Sequence, residues 1–360
     1  MKRTSNFYRI FIFAATFACL LTNAAFAQSF SVSKGELSHF KDKVTGKVLP
    51  NTEPSGVETI GSGKYLLIAD DNDGGNGRGL RIVESASGKI ETVLTNFQGG
   101  DKNPKWESLA KIGENCFFTA GSHNDPDETK RLRRSRIFRV CLNTDKETDP
   151  QKFDITSFRE FDIKDSLKSS GLELTAKLEG LALRKKGGKT ELVFGLREPF
   201  EEGKKGAEVV RKTQVYAAEL PDDFDKPGGK VKLSLKKLFE FEAGFPKDST
   251  IPFKLSSLEY VEGLKGFLVL TSTEDGNNKF FGNALWFVAD EAIQKAAPAD
   301  AKAKFAAAAA KILEFEPSMK AEGVCVTGND GKGNIGLLIV YDNDELLPGM
   351  LQRLTLTVKP

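Results

Sequence analysis

The chain has 360 residues, with 52 Lys and Arg against 50 Asp and Glu. So even a balance excludes a protein built around a strong positive field, and nucleic acid is not an expected partner. The length is enough to bury a large core, either as two domains or as one large all-β domain.

Residues 1–27 read as a secretory signal peptide. Lys2, Arg3 and Arg9 form a positive start, "IFIFAATFACLL" an apolar middle, and Ala25-Phe26-Ala27 an A-x-A cleavage site. The apolar stretch is shorter than the roughly 20 residues a membrane span needs. Lipid attachment at Cys19 fits less well, because Phe17-Ala18 is a poor match and the better cleavage site lies downstream. The expectation is an exported protein, periplasmic or secreted, with a single domain over 28–360, no membrane span and a monomeric state. Without the leader, 49 basic residues face 50 acidic ones.

Five segments then repeat one pattern, a short strand opening, a turn, and a second strand ending in polar residues. In chain order they are "SGVETIGSGKYLLIADDND" from Ser55, "ESLAKIGENCFFTAGSHND" from Glu107, "EGLALRKKGGKTELVFGLREP" from Glu179, "SSLEYVEGLKGFLVLTSTED" from Ser256 and "EGVCVTGNDGKGNIGLLIVYDND" from Glu322. Their length differences fall in turns rich in Gly, Asn, Asp and Lys, as hairpins require. Units of this spacing predict an all-β propeller of five blades, each of four antiparallel strands, with six blades as the alternative if an insertion hides one. The last unit has only three strands, so "FSVSKGELSHF" near the mature N-terminus is expected to supply its fourth and close the ring. The Ala-rich run "DEAIQKAAPADAKAKFAAAAA" in the fourth unit is expected to be a peripheral helical insertion.

Within the second unit, Cys116 in "ENCFFTAG" and Cys141 in "SRIFRVCL" fall opposite each other about a loop centred near residue 128. An exported chain can join them in a disulfide; the alternative is a pair of buried thiols. Cys325 stays unpaired in either case.

The E-G-[LV]-[AC] strand openings, the "GSH" tip and "FGLREP" resemble a family of exported bacterial β-propellers of unknown function. More distantly the chain resembles phytase-like esterase and gluconolactonase-type propellers, which share such openings. The closer resemblance implies no reaction; the distant ones imply metal-assisted hydrolysis.

In a propeller the first strand of each blade lines the channel and the second returns beside it. Strand starts (Ser55, Glu107, Glu179, Ser256, Glu322) and strand tips (Asp71, His123, Arg197, Glu274, Asp342) should therefore meet at one mouth. Glu107, Glu179, Glu322, Asp71 and Asp342 are candidate ligands for Ca²⁺ or Mg²⁺, because crowded carboxylates repel unless a cation neutralises them. His123 is a candidate ligand or general base, and Arg197 a candidate clamp for a carboxylate or phosphate. These roles describe metal-assisted hydrolysis of an anionic ester, lactone or phosphoester. The alternative is a non-catalytic platform that binds a small anionic ligand or an envelope partner. Bland readings stand beside these, with strand-opening acids capping backbone N–H groups between blades and Asp-Asn-Asp tips forming Asx turns. The loop "ETKRLRRSR" is either a solvated tip or a second anion contact at the same mouth. "GGKT" at 187–190 lacks the first glycine of a phosphate loop, and "DNDGGNG" lacks the later ligands of a calcium loop.

Overall fold

The computed structural model describes residues 29–50, 52–70, 79–94, 106–121, 136–144, 149–170, 177–198, 212–222, 224, 233–275, 279–296, 307–343 and 347–359. The expected signal peptide lies outside these residues. Among them the chain forms five sheets arranged as five blades.

Blade V takes its outer strand from the N-terminus, β1 (Ser29–His39). The short β2 (Lys41–Asp42) runs parallel to the outer strand of blade I, a pairing with no signature in the repeats. Blade I comprises β3 (Pro54–Ile60), β4 (Tyr65–Asp70), β5 (Gly79–Glu84) and β6 (Lys89–Leu94). Blade II comprises β7 (Trp106–Lys111), β8 (Cys116–Gly121), β9 (Arg136–Asn143) and β10 (Asp154–Asp162). Blade III comprises β11 (Lys177–Lys186), β12 (Lys189–Glu198), β13 (Lys212–Glu219) and β14 (Lys236–Glu242). Blade IV comprises β15 (Lys254–Val261), β16 (Gly266–Glu274), β17 (Phe280–Ala289) and β18 (Ala310–Phe315). Blade V opens with β19 (Lys320–Asn329), β20 (Asn334–Asp342) and β21 (Met350–Lys359). The N-terminal strand pairs antiparallel with β21 from Ser29 opposite Lys359 to His39 opposite Met350, which closes the ring as the missing fourth strand requires.

The five first strands, β3, β7, β11, β15 and β19, each touch the next in cyclic order, so they surround the central axis. One apolar cluster fills each space between blades. The second strands explain why there are five. In β16, Phe267 and Val269 pack toward blade III while Leu268 and Leu270 pack toward blade V. In β20, Leu337 and Ile339 face blade IV while Leu338 and Val340 face blade I. A strand covered on both faces needs apolar residues at every position, not at alternate ones. Runs such as "FLVL" and "LLIV" are therefore continuous.

Cys116 and Cys141 are direct cross-strand partners and form a disulfide, while Cys325 is a buried free thiol. The insertion in blade IV begins as helix α2 (Asp290–Ala296), with Ile293 buried; residues 297–306 lie outside the described set. A further short helix, α1 (Lys164–Ser169), buries Leu167 between blades II and III. Its six residues are too few for a helical period to show against the flanking strands.

Candidate functional site

A local irregularity of the backbone builds the site. In each of the five first strands the pairing with the second strand skips a residue near the strand's start, Ser55, Glu107, Glu179, Ser256 or Glu322, and β19 skips Thr327 as well. A β-bulge leaves its extra residue out of the ladder and re-aims its side chain. The residue after each bulge is small: Gly56, Ser108, Gly180, Ser257 or Gly323. Adjacent first strands approach closely there, so a Cβ on Gly56 would lie 2.9 Å from the backbone of Ser108, and one on Gly180 would lie 2.8 Å from the Leu258 side chain. The E-G-[LV]-[AC] opening is therefore a bulge followed by a close contact.

Glutamates from blades II, III and V come within electrostatic reach of one another. Glu179 feels the charges of Glu107, Glu322, Lys177 and Arg197 together. Lys177 Nζ lies 2.5 Å from Glu179 Oε1. Arg197 Nη2 donates to Glu274 Oε1 at 2.6 Å and Nη1 to Ser272 Oγ at 3.3 Å, with Glu322 Oε1 at 3.5 Å. Lys320 Nζ sits among three carboxylates, 3.1 Å from Glu274, 3.2 Å from Glu322 and 3.8 Å from Asp342. Side-chain exposure climbs from 1% at Glu179 to 19% at Glu274 and 21% at Lys177, so the cluster runs from a dry floor to a wet rim.

Burial and charge push these groups apart. Desolvation raises the Glu179 carboxyl to about 7, with Lys177 opposing the rise and Glu107 adding to it. Desolvation also acts on Glu274, but Arg197 and Lys320 outweigh it and hold the carboxyl down at about 2. Lys320 is held well above the ordinary lysine value, because Glu322, Asp342 and Glu274 overcome the cost of burying it. One network thus contains a carboxyl that keeps its proton near neutrality and another that stays ionised.

Of the residues expected here, Glu107, Glu179, Glu322, Arg197 and Asp342 lie in or beside this network; Asp71 and His123 lie outside the described residues. Ser55 and Ser256 have local roles, with Ser256 Oγ donating to the Ala321 carbonyl of the next blade at 2.8 Å. Lys177 and Lys320 were not anticipated, although a signal for them exists. Lys-x-Glu recurs in "KWESLA", "KLEGLA" and "KAEGVC", the three blades whose bulge carries glutamate. These lysines take up much of the neutralising role that was expected of a divalent ion. Among the described residues no three Asp, Glu, His or Cys side chains converge closely enough to hold a metal.

Two other glutamates cap backbone N–H groups of a neighbouring blade. Glu58 Oε1 accepts the Lys111 backbone N–H of blade II at 3.0 Å. Glu259 accepts the Val326 N–H of blade V in the same way. Both belong to the blades whose bulge carries serine. Written from the bulge, the openings are "SGVE", "ESLA", "EGLA", "SSLE" and "EGVC". Every blade therefore places one glutamate near the axis, either at the bulge or three residues on. Burial raises Glu58 to about 7 and Glu259 well above its ordinary value.

No family model and no curated protein matches the chain. Among solved structures it is similar to the catalytic domain of the Coprinopsis cinerea GH62 α-L-arabinofuranosidase, at 11% identity and TM-score 0.49, over 92% of this chain and 98% of that one. It is also similar to an endo-arabinase from Bacteroides thetaiotaomicron, at 11% identity and TM-score 0.44, over 90% and 98%. A third is the Dos1 propeller, at 9% identity and TM-score 0.35, over 84% of this chain and 55% of that one. These neighbours carry neither the esterase nor the gluconolactonase resemblance.

Proposed function

We propose that the channel mouth is a hydrolytic site in which Glu179 acts as general acid and Glu107 as general base on an ester, lactone or phosphoester. The observation that supports this reading is the state of Glu179. It is 1% exposed and its carboxyl is raised to about 7, even with Lys177 Nζ against one oxygen at 2.5 Å. A buried carboxyl costs stability unless it is satisfied, and sites that tune pKa toward neutrality are where acid–base chemistry concentrates. In this reading the protonated Glu179 gives its proton to the leaving oxygen as the ester bond breaks. Glu107, whose charge helps hold that proton on, takes the proton of the attacking water. Arg197 acts as a positioning residue, through Glu274 and Glu322. The leader at residues 1–27 supports work in the periplasm or outside the cell.

A second reading keeps Ca²⁺ or Mg²⁺, bound by Asp342 and Glu322 with Asp71 and His123. The observation in its favour is that the described network holds five acids, Glu107, Glu179, Glu274, Glu322 and Asp342, against three cations, Lys177, Arg197 and Lys320. The test is a panel of ester, lactone and phosphoester substrates, assayed with and without chelator, for the mature protein and for Glu179→Gln. Turnover that resists chelator and is lost in Glu179→Gln supports the acid–base reading. Turnover lost with chelator supports the metal. No turnover on any member leaves the propeller as a binding platform.

A further inference from the structure

The Cys116–Cys141 disulfide sits at the end of β8 away from the mouth, and its two sulfurs are placed differently. Cys141 is 7% exposed, whereas Cys116, directly after the β7–β8 turn, is half-buried. Arg139 Nη2 donates to Cys116 Sγ at 3.6 Å, and the same guanidinium lies 5.8 Å from the centre of the Phe224 ring. Arg159, the cross-strand partner of Arg139, donates to the Phe224 carbonyl at 3.4 Å. Strand alternation puts Cys116, Arg139 and Arg159 on the face of blade II that packs Phe118, Ile137 and Phe161 toward blade III. Among the described residues, the charged side chains that β8, β9 and β10 place on this face are the two arginines. The acid nearest in sequence, Glu114, is exposed on the turn. A cation beside a half-exposed cysteine favours the thiolate, the form that attacks a disulfide and leaves from one.

The strands do not need this bond to hold their register. The Leu142 N–H donates to the Asn115 carbonyl at 2.8 Å and the Ile112 N–H to the Cys116 carbonyl at 2.8 Å. Asn115 Nδ2 donates to Thr144 Oγ1, a second tie across the same two strands. On its other side β9 is paired with β10, where Ser157 stands opposite Cys141. The sulfur bond can therefore open while the ladder stays closed.

We propose that Cys116–Cys141 is a dithiol–disulfide exchange site, with Cys116 the exchanging sulfur, Cys141 the resolving one and Arg139 the cation that favours the Cys116 thiolate. The partner is a dithiol. One of its thiolates attacks Cys116 Sγ, the S–S bond breaks, and Cys141 leaves as a thiolate that takes up a proton. The partner's second thiolate then attacks the partner sulfur of the mixed disulfide and expels the Cys116 thiolate beside Arg139. Two electrons pass to the protein and the partner becomes a disulfide; its two protons end on Cys141 and in water. In the reverse direction the Cys116 thiolate attacks an oxidised partner, and Cys141 displaces that partner to restore the bond.

Dithiothreitol supplies the dithiol for the test, on the mature protein under native conditions. Near-ultraviolet circular dichroism should stay unchanged while a maleimide mass tag counts two new thiols. Cys325, which is buried, should take the tag only after denaturation. Glutathione disulfide should then form a mixed disulfide on Cys116 in Cys141→Ser about tenfold faster than on Cys141 in Cys116→Ser. The pH midpoint of the Cys116 reaction should lie below the ordinary cysteine value of about 8.5 and rise in Arg139→Met. A rise of about one unit slows the reaction at pH 7 about threefold, because the lost thiolate outweighs its gain in nucleophilicity. Arg139→Lys, which keeps the charge, should restore much of the rate. A disulfide reduced only as the protein unfolds would overturn the proposal. So would two cysteines of equal reactivity, or a Cys116 rate and pH midpoint that Arg139→Met leaves unchanged.

Discussion

Lys177 Nζ stands 2.5 Å from Glu179 Oε1, and the two residues share one strand with a bulge at the glutamate. Lysine and glutamate two positions apart on a regular strand point to the same face; the skipped residue alters that geometry and tips the carboxylate out of the ladder. The lysine thus balances the buried carboxylate at one of its two oxygens.

That relationship predicts a pH-dependent cost for losing the lysine. Lys177→Met removes the main group that lowers the Glu179 carboxyl, so the carboxyl should rise beyond its present value of about 7. Above pH 8 the variant would bury an uncompensated charge, at a cost of about 3–5 kcal/mol. Near pH 5 the carboxyl is protonated and the cost should be much smaller. Urea denaturation at the two pH values measures the difference, and adding Glu179→Gln should remove most of it. An equal loss at both pH values would show that Lys177 acts through packing alone.

Stability should peak on the acidic side of neutrality. Glu58 and Glu179 have folded values of about 7 against an ordinary 4.5. The folded state binds their protons more tightly, so their contribution is full below about pH 4.5 and is lost as pH rises through about 7. Glu274, held at about 2, works the other way: its contribution is present above about 4.5 and falls away toward pH 2. A melting temperature that declines by several degrees from pH 5 to pH 8, less steeply in Glu58→Gln, is the expected outcome. A steady rise over that range would contradict the buried carboxyls.

The fold was legible because the repeats carry both halves of a hairpin, and because an incomplete last unit points back to the N-terminus for its closing strand. The convergence of Glu107, Glu179, Glu322 and Arg197 was legible too, since antiparallel order brings strand starts and strand tips to one face. Lys177 and Lys320 were not, because a lysine at the start of a strand reads as solvated until the bulge is known. Glu58 and Glu259 escaped for a related reason. Aligning the openings on their first letter draws the eye to Glu or Ser and away from the fourth position, where the missing glutamate reappears.

The disulfide allows a direct chemical count. Mature protein, denatured without reductant, should titrate one thiol, Cys325, and should titrate three after reduction. Replacing Cys116 and Cys141 with serine should cost about 3 kcal/mol, on the scale for a loop of 25 residues. Three thiols before reduction would show the pair to be merely packed.

The last prediction separates lysine from metal as the cation of the mouth. Lys320 lies within 3.8 Å of Glu274, Glu322 and Asp342, so its ammonium balances the charge of all three acids. If the lysine does that work, chelator should leave the melting temperature of the parent protein unchanged. Lys320→Met would then expose three carboxylates to one another, lowering the melting temperature at pH 7. Protonating the carboxylates should restore much of that loss, so the gap to the parent protein should narrow as pH falls. A parent protein that melts earlier in chelator would instead mean that a bound ion shares the work with Lys320. A Lys320→Met variant as stable as the parent at every pH would mean that the three acids are kept apart by their own hydrogen bonds and need no cation.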